Sequence, residues 1–238
     1  MRRIVFILLA AFQFCAANAQ SVQNNQGTFD VSIGGIKAGH LAFSANFSQR
    51  EYAVTGEILT SGLIGTLSPL TYNATVHGRL QRSGYTPAHY QMTASNGRQD
   101  IFATLTYQNG VPRVSQIYPD PPARSYDIDP ADQGGTVDPL TGIFALLRDA
   151  DSRTVCRLEI DLYDGRRRSH VSTSDPVASG EGILCSGEYR RVAGFSPQEL
   201  AARGAFHFTL YYAPAGGVFR VMRVEAETAF GNAVLLRR

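Results

Sequence analysis

DPLTGIFALLRD (Asp138–Asp149), CRLEIDLYDGRRR (Cys156–Arg168) and GILCSGEYRRVAGF (Gly182–Phe195) read together as a short capped helix followed by a strand pair. Asp138 suits a helix N-cap, and Pro139 suits the first helical position, where its missing N–H costs nothing. Leu140, Ile143, Phe144 and Leu147 then share one face at helical spacing, so the helix docks on a sheet or plugs into it. A cysteine lies on each side of the strand pair. Cys156 is in phase with Leu158, Ile160 and Leu162, and Cys185 with Ile183 and Tyr189, so both point at a core. A bridge between them closes a loop of about 29 residues, worth roughly 3–4 kcal/mol on the chain-entropy model. Two buried free thiols are the rival reading.

Outward from that stretch, apolar residues alternate with polar ones over short runs broken by glycine. Phe29, Val31 and Ile33 begin the pattern, Gly34–Gly39 turns it, and Leu41, Phe43, Tyr52, Val54 and Ile58 continue it. It returns over residues 72–80, 89–94, 101–107, 111–118, 206–212 and 218–228. Period two means half-buried antiparallel strands. Asn96-Gly97 and Asn109-Gly110 sit between such runs and mark tight hairpins. Eleven to thirteen strands are too many for an uncurled sheet. The fold class expected is therefore all-β with minor α, an antiparallel sheet curling into a spiral or half-open β-barrel with one or two short helices. Ser196-Pro197-Gln198-Glu199 is a capping box opening a second helix, which Gly204 stops. Gly62–Leu67 reads as a further helical turn or an apolar flap, and the proline-rich 119–135 as a crossover within one domain.

The first residues read as a leader. Arg2 and Arg3 precede an apolar run, Ile4–Phe14, and Ala17-Asn18-Ala19 is a small-x-small cleavage pattern, so residues 1–19 are a signal peptide and 20–238 one periplasmic domain. Eleven apolar residues are too few to span a bilayer as a stable helix. Gln13 and Phe14 argue against lipid attachment at Cys15. Without the leader the formal charge falls from +2 to 0, which leaves no global field to draw nucleic acid or an anionic membrane. The two remaining cysteines suit a disulfide in an oxidising compartment. No transmembrane span is expected in the mature chain.

The order GIKAG, DPLTGIFALLRD, LYDGRRR and LCSGEYRRVAGF resembles the exported domain-of-unknown-function family 3108 of Gram-negative bacteria. Asp138-Pro139-Leu140 and Asp164-Gly165-Arg166-Arg167 carry the likeness most specifically, within a span of about Gly27 to Glu227. The resemblance implies a periplasmic β-rich protein, similar in outline to the curled sheets of envelope lipid-handling proteins, and supplies no catalytic residues.

Candidate chemistry is sparse. There is no G-x-S-x-G elbow, and His40, His77, His89, His170 and His207 stand singly, with no zinc spacing. No cofactor or metal is expected. The acidic loop has Asp127, Asp129 and Asp138 at the first, third and twelfth places of a calcium loop, but Ala131 and Asp132 break the pattern. Arg166, Arg167 and Arg168, with Arg190 and Arg191 further on, form the concentrated positive patch, able to hold an anionic headgroup or a protein partner. The plain alternative pairs these arginines with Glu159, Asp161 and Glu188. Most of the eleven tyrosines and the phenylalanines belong to core alternation, although a barrel of this size can enclose an apolar cavity lined by some of them. The expected function is non-catalytic: a periplasmic protein binding an apolar or amphipathic envelope component. The alternative is a scaffold docking a periplasmic partner through the Arg166–Arg168 hairpin. A hydrolase is remoter, since it needs the Asp127–Asp138 loop, a histidine and the arginines in one cleft.

Overall fold

The computed structural model describes residues 22–81 and 84–238, so the expected leader and its cut lie outside the described residues. A meander comes first: β1 (Gln23–Ile33), β2 (Ile36–Phe47), β3 (Glu51–Thr60), the short helix α1 (Gly62–Leu67), β4 (Thr71–Gln81), β5 (Gly84–Ser95), β6 (Asp100–Gln108) and β7 (Val111–Tyr118). A crossover with a 3-10 turn at Pro130–Asp132 leads into helix α2 (Pro139–Leu147). Then follow β8 (Glu159–Tyr163), β9 (Arg168–Thr173), β10 (Val177–Ser179), β11 (Gly182–Ala193), helix α3 (Pro197–Ala202), β12 (Ala205–Ala215), β13 (Val218–Thr228) and β14 (Gly231–Arg237). All pairings are antiparallel, in the order β7-β6-β5-β4-β3-β2-β1-β14-β13-β12-β11-β9-β8, with β10 on β11 beyond β9. The first and last strands thus pair with each other and join two meanders into one sheet.

Register explains why this sheet has two faces. Ala45, Val54, Val76, Tyr90, Leu105 and Val114 are neighbours on six strands and point inward. One position along, Ser44, Thr55, Thr75, Gln91 and Thr104 form an outward polar row. A one-residue slip would exchange the two rows, so burial fixes the pairing. Register shifts at Val31/Ser32, His77/Gly78, Thr104/Leu105, Arg191/Ala193 and Tyr211/Tyr212 bend the strands and help the sheet curl.

The inside of the curl is filled, so of the two placements open to the helix, docked on the sheet or plugged into it, the second is the one found. Helix α2 occupies it. Phe144 packs edge-on against Phe43 and Tyr85 and tilts against Phe47. Leu140 presses on β3 at Gly56, and Leu162 of β8 packs over Gly142. Tyr212 of β12 donates to the Leu146 carbonyl at 3.4 Å. Strands from both meanders therefore grip one helix, which is buried at Leu140, Thr141, Gly142, Phe144 and Leu147. A helix enclosed on this many sides gains its stability from packing rather than from propensity.

Strand pairing leaves the sheet open between β7 and β8, and the crossover covers the gap. Gly135 N–H donates to the Gly110 carbonyl beside β7 (2.9 Å), while Val137 exchanges bonds with β8, donating to Asp161 O (2.9 Å) and accepting from Tyr163 N (2.8 Å). Exposed strand edges invite intermolecular pairing, and this covering removes part of that liability. Pro112 on β7 also fits an edge, where no ladder donor is lost.

Cys156 and Cys185 form a disulfide, with Cα atoms 5.4 Å apart. Both are buried, but the phase argument for Cys156 fails. The strand starts three residues later, at Glu159, and Cys156 lies in a turn with φ +56°. The first hairpin is also tighter than read: Gly34 and Gly35 alone make it, with φ of +57° and +82°. Among the described residues no helix is long and apolar enough to cross a membrane.

Candidate functional site

The arginine patch begins at the β8–β9 turn. Asp164 Oδ1 accepts from the amides of Arg166 (2.9 Å) and Arg167 (2.8 Å), which fixes the tip. Tyr163 donates its hydroxyl to Gly165 O at 2.7 Å. Gly194, just past β11, has φ +82°, and a side chain there would come within 2.9 Å of Arg167 Cα. A bare glycine is what lets the hairpin backbone lie against the end of β11.

The five predicted arginines then divide. Arg166 reaches across the open seam to Asp127, with Nη2 at 2.7 and 2.9 Å from its two oxygens, and donates to Pro122 O at 3.0 Å. The Arg124 amide is the largest cause holding the Asp127 carboxyl below the usual range, with Arg166 adding to it. Arg168 donates to Asp161 Oδ2 at 2.6 Å, while His170 Nδ1 lies 2.9 Å from the other oxygen. Burial pushes the Asp161 carboxyl up, but those two bonds more than offset it and hold it low. Arg190, exposed, pairs with Glu188 on its own strand (2.8 Å).

Arg167 and Arg191 converge. Both guanidinium groups lie over the Phe195 ring, at 5.1 and 5.2 Å from its centroid. Arg191 also covers Phe206 at 5.1 Å, and Arg203 covers Phe206 as well, at 5.2 Å. Such stacking is favourable and leaves guanidinium edges free to donate. Helix α3 holds the arrangement in place. Its capping box joins Ser196 and Glu199, Arg167 donates to Glu199 Oε1 (3.1 Å), and Arg191 donates to the carbonyls of Glu199 (2.7 Å) and Arg203 (2.9 Å). Tyr189, Phe208 and Ala226 complete an open groove of about 350 Å³. Three cations line or flank it, against Glu199 and Glu227.

Phe195, Arg203 and Phe206 were missed in the sequence. Phe206 was read only as core alternation, and nothing local reveals that β9 sits on β11 with β10 displaced beyond it. The capping box was the available signal, because it fixes Glu199 one helical turn before Arg203.

A second polar cluster lies inside. Asp138, fully buried, accepts from the Thr141 amide (2.9 Å) and hydroxyl (2.6 Å). With its proton given to Asp138, Thr141 Oγ1 accepts from the Tyr52 hydroxyl at 2.9 Å. Burial pushes the Asp138 carboxyl from 3.8 up to about 6, although the Thr141 bonds pull the other way. Burial likewise raises Tyr52, Tyr90 and Tyr107, and takes Tyr72 to about 12. These phenols stay protonated at neutral pH.

The calcium-loop aspartates part company. Asp127 faces Arg166, Asp129 accepts from Ala131 N in the 3-10 turn, and Asp138 caps α2. Among the described residues no three metal-ligating side chains gather. The histidines are scattered likewise: His40 meets Glu57 (2.9 Å), His77 stacks on His89, and His207 faces Glu227 (3.4 Å).

A family model described as protein of unknown function (DUF3108) matches residues 28–237. Among solved structures the chain is similar to a beta-barrel-like protein of domain of unknown function DUF1849 from Brucella abortus. The identity is 11%, the TM-score 0.48, and the match covers 90% of this chain and 95% of that one. No curated protein matches, and neither match carries an activity in its name.

Proposed function

The chain belongs to the DUF3108 family of proteins of unknown function, and from that premise we propose that it is a non-catalytic periplasmic protein that binds an amphipathic envelope component through the arginine–aromatic groove. The observation that carries the reading is the stacking of Arg167, Arg191 and Arg203 on Phe195 and Phe206 at an open mouth of the sheet. Guanidinium forks suit phosphate or carboxylate oxygens, and the ring faces between them offer apolar surface to the adjoining chain. Since α2 fills the curl, the ligand's apolar part lies along the groove rather than in a lumen.

Two alternatives draw less support. Docking through the hairpin rests on Arg166 and Arg168, which Asp127 and Asp161 engage at 2.7 and 2.6 Å. The groove arginines Arg167 and Arg203 are also paired, with Glu199 at 3.1 Å and Glu227 at 3.8 Å, but they stack on aromatic rings, as the hairpin pair does not among the described residues. Hydrolysis needs a base beside a nucleophile, whereas Asp127 of the acidic loop pairs with Arg166 and His170 shares Asp161 with Arg168. Native mass spectrometry of protein purified from its own periplasm, with calorimetric titration of lysophosphatidylglycerol, tests the binding reading. Co-purified amphiphile and a heat of binding lost in Arg167→Gln/Arg203→Gln are expected. No bound amphiphile and no heat would overturn it.

A further inference from the structure

We propose that the α1 end of the sheet docks on an anionic bilayer surface. Between Glu57 and Arg79 the chain carries no charged residue. The centre of that run, α1, buries none of its residues and carries no acid. Leu63 is 61% exposed, Leu67 75% and Leu70 38%. This display is held rather than frayed: Ser61 N bonds Ala38 O (2.8 Å), Thr60 N bonds Leu70 O (2.9 Å), and Leu70 N bonds Thr60 Oγ1 (2.7 Å).

Neighbouring turns extend the apolar rim. Ile36, 48% exposed, leaves the β1–β2 turn at the same end. Gly34 N bonds Asn232 O (2.9 Å), which ties that turn to the β13–β14 turn, where Phe230 is 86% exposed. Contiguous exposed apolar surface of this kind marks an interaction site.

Charge decides the occupant. Gly62 lies over the Lys37 carbonyl, and Gly97 lies against Pro69, so Lys37 and Arg98 flank α1 on its two sides. Neither forms an ion pair among the described residues; Asp30, which lies two residues along β1 from the partner of Lys37 and bonds Arg238, and Asp100, beside Arg98, are the acids nearest them. Aliphatic tips with one aromatic, set between unpaired cations on separate turns, match the interfacial layer of an anionic membrane. A protein-binding surface would instead concentrate aromatic anchors and paired polar groups.

Flotation with vesicles of phosphatidylethanolamine and phosphatidylglycerol (3:1), against pure phosphatidylcholine, tests this. The protein should float with the anionic vesicles and not with the neutral ones. Leu63→Ser/Leu67→Ser, whose side chains support no core, should keep its circular dichroism and melting temperature and lose flotation. Lys37→Glu/Arg98→Glu should weaken partitioning by roughly 30-fold or more, from about 1 kcal/mol per basic group. No flotation of the parent protein, or flotation unchanged by the leucine pair, would overturn the proposal. The rim shares the β13–β14 turn with the groove, which Thr228 and Ala229 line, but the leucines of α1 lie outside it: Leu63→Ser/Leu67→Ser should keep the heat of binding that Arg167→Gln/Arg203→Gln loses, so the two readings fail separately.

Discussion

Replacing Gly56 by valine should loosen the grip of the first meander on α2, and trimming Leu140 to alanine should restore it. Gly56 points inward from β3, and a Cβ there would collide with Leu140 Cδ1 and lie 3.7 Å from its Cγ. Leu140 is only 1% exposed and cannot swing clear. Overpacking of this kind costs about 1–3 kcal/mol. Leu140→Ala alone removes three buried carbons and should cost about 2–5 kcal/mol. The double variant puts three carbons in from one side where three left from the other. Its loss should fall short of the summed singles by at least roughly 2 kcal/mol. Urea denaturation followed by far-UV circular dichroism, with the disulfide intact, measures all four proteins. Additivity within about 0.5 kcal/mol would mean that the two residues do not touch, and the seating of α2 on β3 would be wrong.

Other consequences follow from particular groups. Asp138 is buried with its carboxyl raised from 3.8 to about 6, so the folded state keeps a proton that the unfolded chain releases. That contribution is fully present below pH 3.8 and is lost as pH climbs through about 6. The stability of the parent relative to Asp138→Asn, which keeps a capping acceptor, should therefore drop by about 3 kcal/mol from pH 3.5 to 7; a flat difference contradicts it. Removing the bridge as Cys156→Ser/Cys185→Ser should cost about 2–5 kcal/mol, and an unchanged melting temperature under reductant would argue that the link is idle. Arg166→Ala should open the 119–136 crossover to limited proteolysis, as should Asp127→Ala, because their ion pair ties it across the seam. Equal resistance in both variants would show that the crossover holds without them.

Much of this architecture was legible because alternation and capping are local. Asp138, Pro139 and the Leu140–Leu147 face announced α2, and Asn109-Gly110 announced its hairpin, where both residues have positive φ. The flap at Gly62–Leu67 was one of two readings, and the chain there is helical. Other features depend on neighbours distant in sequence. The strand Gly231–Arg237 hides in AVLLRR, whose consecutive apolar residues break the period of two, yet its pairing with β1 joins the meanders. Cys156 was placed on a strand because Leu158 and Ile160 continue its phase, whereas the backbone turns first. The arginines were visible as a cluster, but which of them would meet Phe195 and which would meet an aspartate depended on β9 lying beside β11. Docking and plugging of the helix were both readable, but the choice between them was not: small residues at Gly56 and Ala74 make room for α2 only once their register is known.

Amide hydrogen exchange resolved to α2 tests the central claim, that one helix is clasped inside the curl by both meanders. The amides of Ile143–Leu147 should exchange as slowly as those at the middle of β3 and β4, through global unfolding alone. Exchange as fast as that of the exposed helix α1 would show that α2 lies on the surface, and the account would be contradicted.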